Sequence, residues 1–295
     1  METEIAYLNA LLRLELTAVN QQFIHILALR HGGDEARASR IYDVDRIDFP
    51  NVMRLIDRLV VSGALLPLAN EMPRPGCGLA GILTAEADIE ERLQALLANS
   101  PALSDPAQRL SDTALQPRAA YRAWLAAERR AAPPPVAEGA QIAVNPALDR
   151  LFSCLVAVLE QLMVHAFVYR LAGWAPEADI AWATSGIAMV QAGELVTALA
   201  GFGTMPRPQE TGLLHISAEP REAAREDLRL LEAYALLAAA VGEGERSQPL
   251  SSLCRQIAAV SGSLARWRRG EPHPAQTLCT PVFRSFDATW RKFVG

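Results

Sequence analysis

Apolar residues recur along most of this chain at intervals of three and four positions, which is the period of an amphipathic α-helix. The first such stripe runs from residue 4 to residue 30 and stops at Gly32 and Gly33, residues typical of a helix C-terminus. Seven further stripes predict helices over about 35–62, 84–99, 117–130, 146–172, 177–201, 218–242 and 248–269. The pattern therefore predicts an all-α fold.

Prolines and glycines divide the predicted helices into two sets. A stretch from Asn70 to Gly81 predicts a long crossover loop, and Pro101 with Pro106 predicts the end of the third helix. The run 133–135 is three prolines and predicts a stiff linker. We divide the chain into a first helical domain at 1–131, a linker at 132–145, a second helical domain at 146–270 and a tail at 271–295.

The second set of helices repeats the first. When residues 11–33 are laid on residues 151–173, the matching pairs are Leu11/Leu151, Gln21/Gln161, His25/His165, Arg30/Arg170 and Gly33/Gly173. Collinear matches continue over about 120 residues, which predicts an internal duplication.

Composition and charge narrow the class of protein. Apolar residues make up 51% of the chain and aromatic residues only 6%, which is typical of a globular helical protein with a sizeable core. The net charge of −5 argues against a nucleic-acid partner, because phosphate binding needs an excess of Lys and Arg. The N-terminus lacks a signal-peptide pattern, and no apolar run of about 18 residues is free of charge. We predict a cytoplasmic protein that does not bind membranes.

The four cysteines form no CxxC pair and show no metal-type spacing with the five histidines. We interpret them as reduced core thiols: Cys77, Cys154, Cys254 and Cys279.

Two segments resemble the bacterioferritins of the ferritin-like superfamily. Residues 7–25 contain Tyr-Leu-Asn, Leu-Leu, Glu-Leu, Ala, Asn-Gln, Phe and His in the register of that family's first helix, and residues 83–93 are similar to the start of its third helix. The resemblance covers about 60 residues of the first half, and the second half joins it through the repeat. It implies two ferritin-like four-helix bundles in tandem, related by a pseudo-twofold axis.

A working bundle of that family would hold two irons with a Glu from each of two helices and a Glu-x-x-His unit from each of the others. Glu15 matches the first-helix Glu, but the second-helix unit resembles Asp48-Phe49-Pro50-Asn51. The ligand position of the third helix falls near Ser100. In the fourth helix, Arg118-Ala119-Ala120-Tyr121 replaces the Glu-x-x-His unit. In the second half, Leu155 replaces the first Glu. The resemblance therefore implies a degenerate di-iron site.

The residues that could still hold a metal are Glu15, Asp48, Asn51 and His25. Each has a structural alternative. An Asp two residues before Pro50 suits a helix N-cap, which we favour for Asp48. His25 and its counterpart His165 suit structural histidines that donate to a neighbouring helix or across an interface.

Other polar residues of the second half receive structural interpretations. Glu160, His165 and Glu194 are expected at a surface or an interface. Bacterioferritins can also hold haem between methionines of two subunits, and Met189 falls at or within one residue of that position. Because the first half offers Phe49 or Pro50 there, we favour core packing for Met189 over haem binding.

Three functions remain open. The favoured one is a non-ferroxidase, non-enzymatic scaffold, binding or accessory protein with no resident cofactor, which binds an unknown protein or a small apolar ligand as a monomer or small homo-oligomer. The second is an iron-dependent oxidase or oxygenase that keeps a reduced metal site in the first bundle and acts on a small organic substrate. The third is a metal-free enzyme or ligand-binding protein with a pocket between the bundles, lined by Met163, Trp174, Trp182 and Met189.

Overall fold

The computed structural model describes residues 2–64, 72–132, 146–209, 212 and 214–269, with the side chains of residues 267 and 268 excepted. These ranges contain helices, turns and loops without any strand, so the predicted all-α fold is confirmed. The helices are α1 (Glu2–His31), α2 (Glu35–Val61), α3 (Gly78–Ala98), α4 (Asp105–Leu115), α5 (Arg118–Ala131), α6 (Pro146–Leu171), α7 (Ala175–Gly201), α8 (Pro220–Gly244) and α9 (Gln248–Arg268). The predicted tail at 271–295, with Cys279, lies outside the described residues.

The chain forms two compact units. Unit 1 comprises Met1–Leu65, Ala69–Val144 and Leu199–Pro208, and unit 2 comprises Leu66–Leu68, Asn145–Ala198 and Gln209–Gly295. In unit 1, α1 packs against α2 and α3, and α5 packs against α3. In unit 2, α8 packs against both α6 and α9.

The first helix of each unit ends in the same way. Gly33 and Gly173 both adopt positive φ, at 78° and 79°. The next backbone N–H then returns to the last turn, from Asp34 to Leu29 O and from Trp174 to Tyr169 O, each at 2.8 Å. A glycine at this position tolerates the left-handed conformation that closes the helix.

α2 runs without interruption through Pro50, so the prediction that Asp48 caps a helix is wrong. The N-cap of α2 is Asp34, whose side chain accepts from Arg37 N at 3.2 Å. Pro50 removes one backbone donor, but a long helix held by packing on both sides of the proline can continue. Asp48 therefore lies in the helix interior, where its carboxylate must find a different partner.

The third helix begins earlier than the sequence predicts, at Gly78 instead of about residue 84. The stretch after it also differs, because Pro106 does not break a helix but stands in the first turn of α4. Proline suits that position, since its missing N–H would be unpaired there in any case. α4 supplies an additional buried wall to unit 1, through Ala107, Leu110, Ser111 and Ala114.

α6 forms a buried apolar wall of unit 2. Within the described ranges it is the one helix long and apolar enough to cross a membrane, with a mean hydropathy of 1.9, and the apolar window is entirely buried inside the fold. Cys154 on α6 and Cys254 on α9 are buried thiols, as predicted, and burial raises their pKa to about 12 and about 11. Cys77 is partly exposed instead of buried.

Candidate functional site

Five polar side chains from four helices meet in the core of unit 1. We call them the acid–arginine cluster: Glu15 on α1, Asp48 and Asn51 on α2, Glu90 on α3 and Arg118 on α5. Each is 0% exposed. Because a buried charge is costly unless it is paired and hydrogen-bonded, the cluster depends on its internal contacts.

Arg118 connects carboxylates from two other helices. Its Nη2 donates to Asp48 Oδ1 at 2.7 Å, and its Nη1 donates to Glu90 Oε1. Its Nε donates to the carbonyl of Ala114 near the end of α4 at 2.9 Å. The rigid fork of donors on a guanidinium suits this arrangement, since each nitrogen points to a different acceptor.

Glu15 is held by an amide. Nδ2 of Asn51 lies 3.0 Å from both carboxylate oxygens of Glu15 and 3.2 Å from the carbonyl of Leu110. Two turns along α1 from Glu15, Gln22 donates Nε2 to Asp48 Oδ2 at 3.4 Å. Asp48 therefore accepts hydrogen bonds from α1 and from α5.

The cluster contains more acceptors than donors. Within the described part of the chain, Glu90 Oε2, Asn51 Oδ1 and Gln22 Oε1 are buried without a hydrogen-bond donor. An acceptor-rich core favours protonated carboxyl groups, because each bound proton removes a charge and adds a donor.

The pKa values of the three acids follow this imbalance. Burial and the neighbouring Asp48 carboxylate raise the pKa of Glu15 well above its usual range. Burial also raises the pKa of Asp48, and that of Glu90 to about 7, although Arg118 opposes both shifts. Burial acts to lower the pKa of Arg118, but the Asp48 and Glu90 carboxylates outweigh it and the net shift is upward. The permanently charged guanidinium of Arg118 thus lies among three carboxyl groups whose pKa values are all raised, with burial as the main cause.

His25 does not join this cluster but lies in a second buried network of unit 1. Its Nδ1 lies 2.6 Å from Glu86 Oε1, and Tyr121 donates its hydroxyl to Glu86 Oε2 at 2.7 Å. Its Nε2 accepts from the backbone N–H of Gly76 at 3.0 Å. Because Nε2 is an acceptor, the ring proton is on Nδ1, and both nitrogens are already occupied. We call this network the unit 1 clamp.

Unit 2 contains a corresponding network, the unit 2 clamp. His165 Nδ1 lies 2.6 Å from Asp227 Oδ1, and His165 Nε2 accepts from the backbone N–H of Ser217 at 3.1 Å. Asp227 also accepts from Gln161 Nε2 at 3.0 Å and from the Tyr169 hydroxyl at 2.5 Å. Asp227 and these three side chains are all buried, so the charge of the carboxylate is shared with donors inside the core.

The two clamps have nearly the same spacing along the chain. The histidine and its carboxylate are 61 residues apart in unit 1 and 62 in unit 2, and the histidine and its loop N–H are 51 and 52 apart. A glutamine completes each clamp: Gln21 Oε1 accepts from Arg74 N at 3.0 Å, and Gln161 Oε1 accepts from His215 N at 2.9 Å. The tyrosine is the exception, since it comes from α5 in unit 1 and from α6 in unit 2.

The acid–arginine cluster has no charged counterpart in unit 2. When the second half is aligned on the first, Leu155 corresponds to Glu15, Ala188 corresponds to Asp48, and Leu231 corresponds to Glu90. All three are buried, and no Arg or Lys is buried among the described side chains of unit 2. The acids and the arginine are thus absent together, as expected if they are needed only in each other's presence.

The structure groups the predicted site residues only in part. Glu15, Asp48 and Asn51 lie together, whereas His25 belongs to the unit 1 clamp. The sequence pattern does not predict Glu86 and Glu90 as site residues, because the resemblance puts the third-helix ligand position near Ser100. The available signal was their i,i+4 spacing, which puts both carboxylates on one helical face.

Two predictions about other residues are wrong. Met189 is not core packing, since 36% of it is exposed on α7. The apolar pattern of α7 gave no sign of which face is outside, because apolar residues occur all around the helix. Glu160 and His165 are buried and not at the surface, while Glu194 is exposed as predicted. The other prediction for His165, a structural histidine bonded to a neighbouring helix, agrees with its contact to Asp227 on α8.

Among the described residues, no three His, Cys, Asp or Glu side chains are arranged so that they could hold a metal ion. No family model, curated protein or solved structure matches this chain.

Proposed function

We propose that this chain is a ferritin-like protein without ferroxidase activity, built from two diverged four-helix bundles in tandem, and that it acts as a scaffold, binding or accessory protein. Support for the tandem arrangement comes from the two clamps, which join equivalent helices and loops at matching spacings. A network of this kind, repeated at two places in one chain, favours duplication over chance.

The observation that carries the functional proposal is the position of Arg118 among three carboxyl groups. Two iron ions need several carboxylates as ligands, and in unit 1 the side chains of Asp48 and Glu90 already bind a guanidinium. The Arg118 guanidinium therefore takes the position of a cation among these carboxyl groups. Both carboxyl oxygens of Glu15 are bound by the neutral amide of Asn51.

The other candidate ligands do not fit a metal either. Asn51 presents its NH2 group, not its carbonyl oxygen, to Glu15, and an amide nitrogen is not a metal ligand. His25 has a hydrogen-bond partner at each ring nitrogen. We therefore derive no oxygen chemistry from this site, and we propose that the cluster has a structural role.

Metal analysis with a kinetic assay tests the proposal. The full chain is expressed in iron-rich medium, its iron content is measured, and ferrous ion is added aerobically to follow oxidation. We expect substoichiometric iron and an oxidation rate equal to that of buffer, for the wild type and for Glu15→Ala alike. Tightly bound iron at one or two ions per chain, lost in Glu15→Ala, would instead support an iron-dependent oxidase.

A further inference from the structure

A cavity of about 460 Å³ lies in unit 1, where the end of α1 meets the start of α3 and the segment 200–205. Every residue that lines it belongs to unit 1, and none belongs to the acid–arginine cluster. Its volume falls within the range of roughly 300–1,000 Å³ that is usual for small-molecule sites in proteins. The cavity is therefore a separate candidate binding site.

Small residues at four positions leave the cavity open. Ala28 on α1 and Ala200 on α7 line it and are half-buried. Gly78 and Gly203 also line it, at positive φ values of 65° and 70°, and a Cβ atom at either position would meet no other atom within 4 Å. Because these residues contribute almost no side-chain volume, space remains between the elements that carry them.

The lining of the cavity is mainly apolar. Its more deeply placed side chains are those of Leu29, Ile82 and Met205, which are only 4–6% exposed. An apolar wall gains dispersion contacts when an apolar molecule covers it, whereas water placed there finds few hydrogen-bond partners. The cavity thus favours an apolar guest over water.

The charges of the lining select against a charged guest. The Asp34 carboxylate caps α2 and binds Arg37 Nη1 at 2.6 Å, so it is already paired. No Lys or Arg is among the described residues that line the cavity, and His31 is exposed to solvent, where its interaction with a charge is screened. A carboxylate, phosphate or sulfonate inside the cavity would lose its hydration without gaining a buried cation as partner.

We propose that this cavity binds a small, uncharged molecule with a mainly apolar body. The inference rests on the binding role in the proposed function and names its ligand class. Cys77 reports on occupancy, because its partly exposed thiol lines the cavity and donates to the carbonyl of Gly203 at 3.9 Å. A molecule seated in the cavity covers this thiol.

Two dyes that differ by one charged group test the ligand class. N-phenyl-1-naphthylamine is uncharged, and 8-anilino-1-naphthalenesulfonate has the same ring framework with an added sulfonate. Each is titrated into the folded full chain and its fluorescence is followed. We expect one saturable site per chain for the uncharged dye, with an affinity at least about tenfold higher than that of the sulfonate. Equal affinities, or no saturable binding of the uncharged dye, would overturn the proposal.

Substitutions that fill the cavity test the location. Ala28→Phe and Ala200→Phe each place a ring in the cavity, and each should weaken binding of the uncharged dye at least about tenfold. Ala126→Phe adds the same ring at an exposed position of α5 and should bind as the wild type does. Wild-type affinity in both cavity variants would show that the dye binds elsewhere and would overturn the proposal.

Thiol protection in the wild type decides the same question if the cavity variants do not fold. Saturating N-phenyl-1-naphthylamine should slow the reaction of Cys77 with N-ethylmaleimide several-fold, as measured by peptide mass mapping. Cys154 and Cys254, which are 0% exposed, should stay unlabelled with and without the dye and so confirm that the chain remains folded. An unchanged rate at Cys77 with the dye bound would overturn the proposal.

The dye measurements and the iron measurements fail independently. A chain that binds neither iron nor the uncharged dye overturns the ligand site and leaves the lack of ferroxidase activity in place. A chain that binds the dye in the cavity and also oxidises ferrous ion overturns the non-ferroxidase function and supports the ligand site.

Discussion

Arg118 Nη2 lies 2.7 Å from Asp48 Oδ1, and neither side chain has any exposure to solvent. The two residues are 70 positions apart in the chain, so the bond joins α5 to α2 and is formed only in the folded state. Breaking a buried ion pair from one side leaves an unpaired charge, which costs more than the pair itself contributes. The core of unit 1 therefore depends on both partners being present.

The first prediction concerns the removal of the guanidinium. Arg118→Ala should lower the free energy of unfolding by about 3–5 kcal/mol, because Asp48 and Glu90 remain buried without their cation. The measurement is urea unfolding of the full chain, followed by circular dichroism. Arg129→Ala changes an exposed arginine of the same helix and should stay within about 0.5 kcal/mol of the wild type. Equal effects of the two substitutions would refute a special role for Arg118.

The second prediction is chemical rescue. Arg118→Ala leaves a cavity lined by carboxyl groups and shaped for a guanidinium, so free guanidinium at low millimolar concentration should raise the melting temperature of this variant. The wild type, whose site is filled by Arg118, should show no rise. Sodium chloride at the same ionic strength controls for screening. An equal response of the variant to both salts would mean that no specific site is left.

The third prediction follows from the apolar counterpart in unit 2. Replacing the charges together, by Glu15→Leu, Asp48→Ala, Glu90→Leu and Arg118→Met, should destabilise unit 1 less than Arg118→Ala alone. Apolar side chains at all four positions remove the desolvation cost together with the attraction. Urea unfolding of both variants gives the comparison. If the fourfold variant lost as much unfolding free energy as the four single substitutions added together, the four side chains would not depend on one another.

The fourth prediction is a pH dependence of stability. The pKa of Glu90 is raised from its usual value of 4.5 to about 7 by burial, so the folded chain binds this proton more tightly than the unfolded chain does. The resulting stabilisation is complete below about pH 4.5 and is lost as the pH rises through about 7. We expect Glu90 to contribute about 1–3 kcal/mol to the decline across this range.

The matched variants for this measurement are neighbours on α3. Glu90→Gln cannot ionise but still offers an oxygen to Arg118, so the decline of unfolding free energy between pH 5 and pH 8 should be shallower than in the wild type. Glu91→Gln alters an exposed carboxylate and should leave the slope unchanged. The idea fails if both variants retain the wild-type slope.

The fifth prediction compares the two clamps. Tyr121→Phe and Tyr169→Phe each remove one hydroxyl donor from a buried carboxylate, and each should cost about 1–3 kcal/mol of unfolding free energy. Tyr42→Phe, at a tyrosine that is 45% exposed, is the control and should cost little. A loss confined to one of the two clamp variants would indicate that the networks are not equivalent.

Several features of the site could be anticipated from the sequence. Helical spacing puts Glu15 and Gln22 on the same stripe of α1 as Leu8 and Leu11, which predicts that both side chains face inward, and the paired positions of His25 and His165 indicate a repeated element. The role of Arg118 could not be anticipated in the same way. An arginine at the start of a helix is ordinarily a solvated side chain, and nothing local distinguishes one that points into the core.

Asp48 illustrates the opposite error. Its position before Pro50 is a sound local signal for a helix start, but the packing of α2 on its neighbours outweighs the missing hydrogen bond of the proline. The prediction that Pro106 marks the end of the third helix is wrong for a related reason. A proline can follow the end of one helix or stand in the first turn of the next, and Pro106 stands in the first turn of α4.

The sequence by itself determined that the chain is helical, where most helices lie, and that its halves share a pattern, because helix periodicity and collinear repeats are properties of neighbouring residues. Only the tertiary structure decided that Arg118 binds both Asp48 and Glu90, and that each histidine accepts a hydrogen bond from a distant loop. Those partners are 28 to 70 residues apart, and long-range pairing of charges and hydrogen bonds depends on how helices pack, which no local pattern encodes.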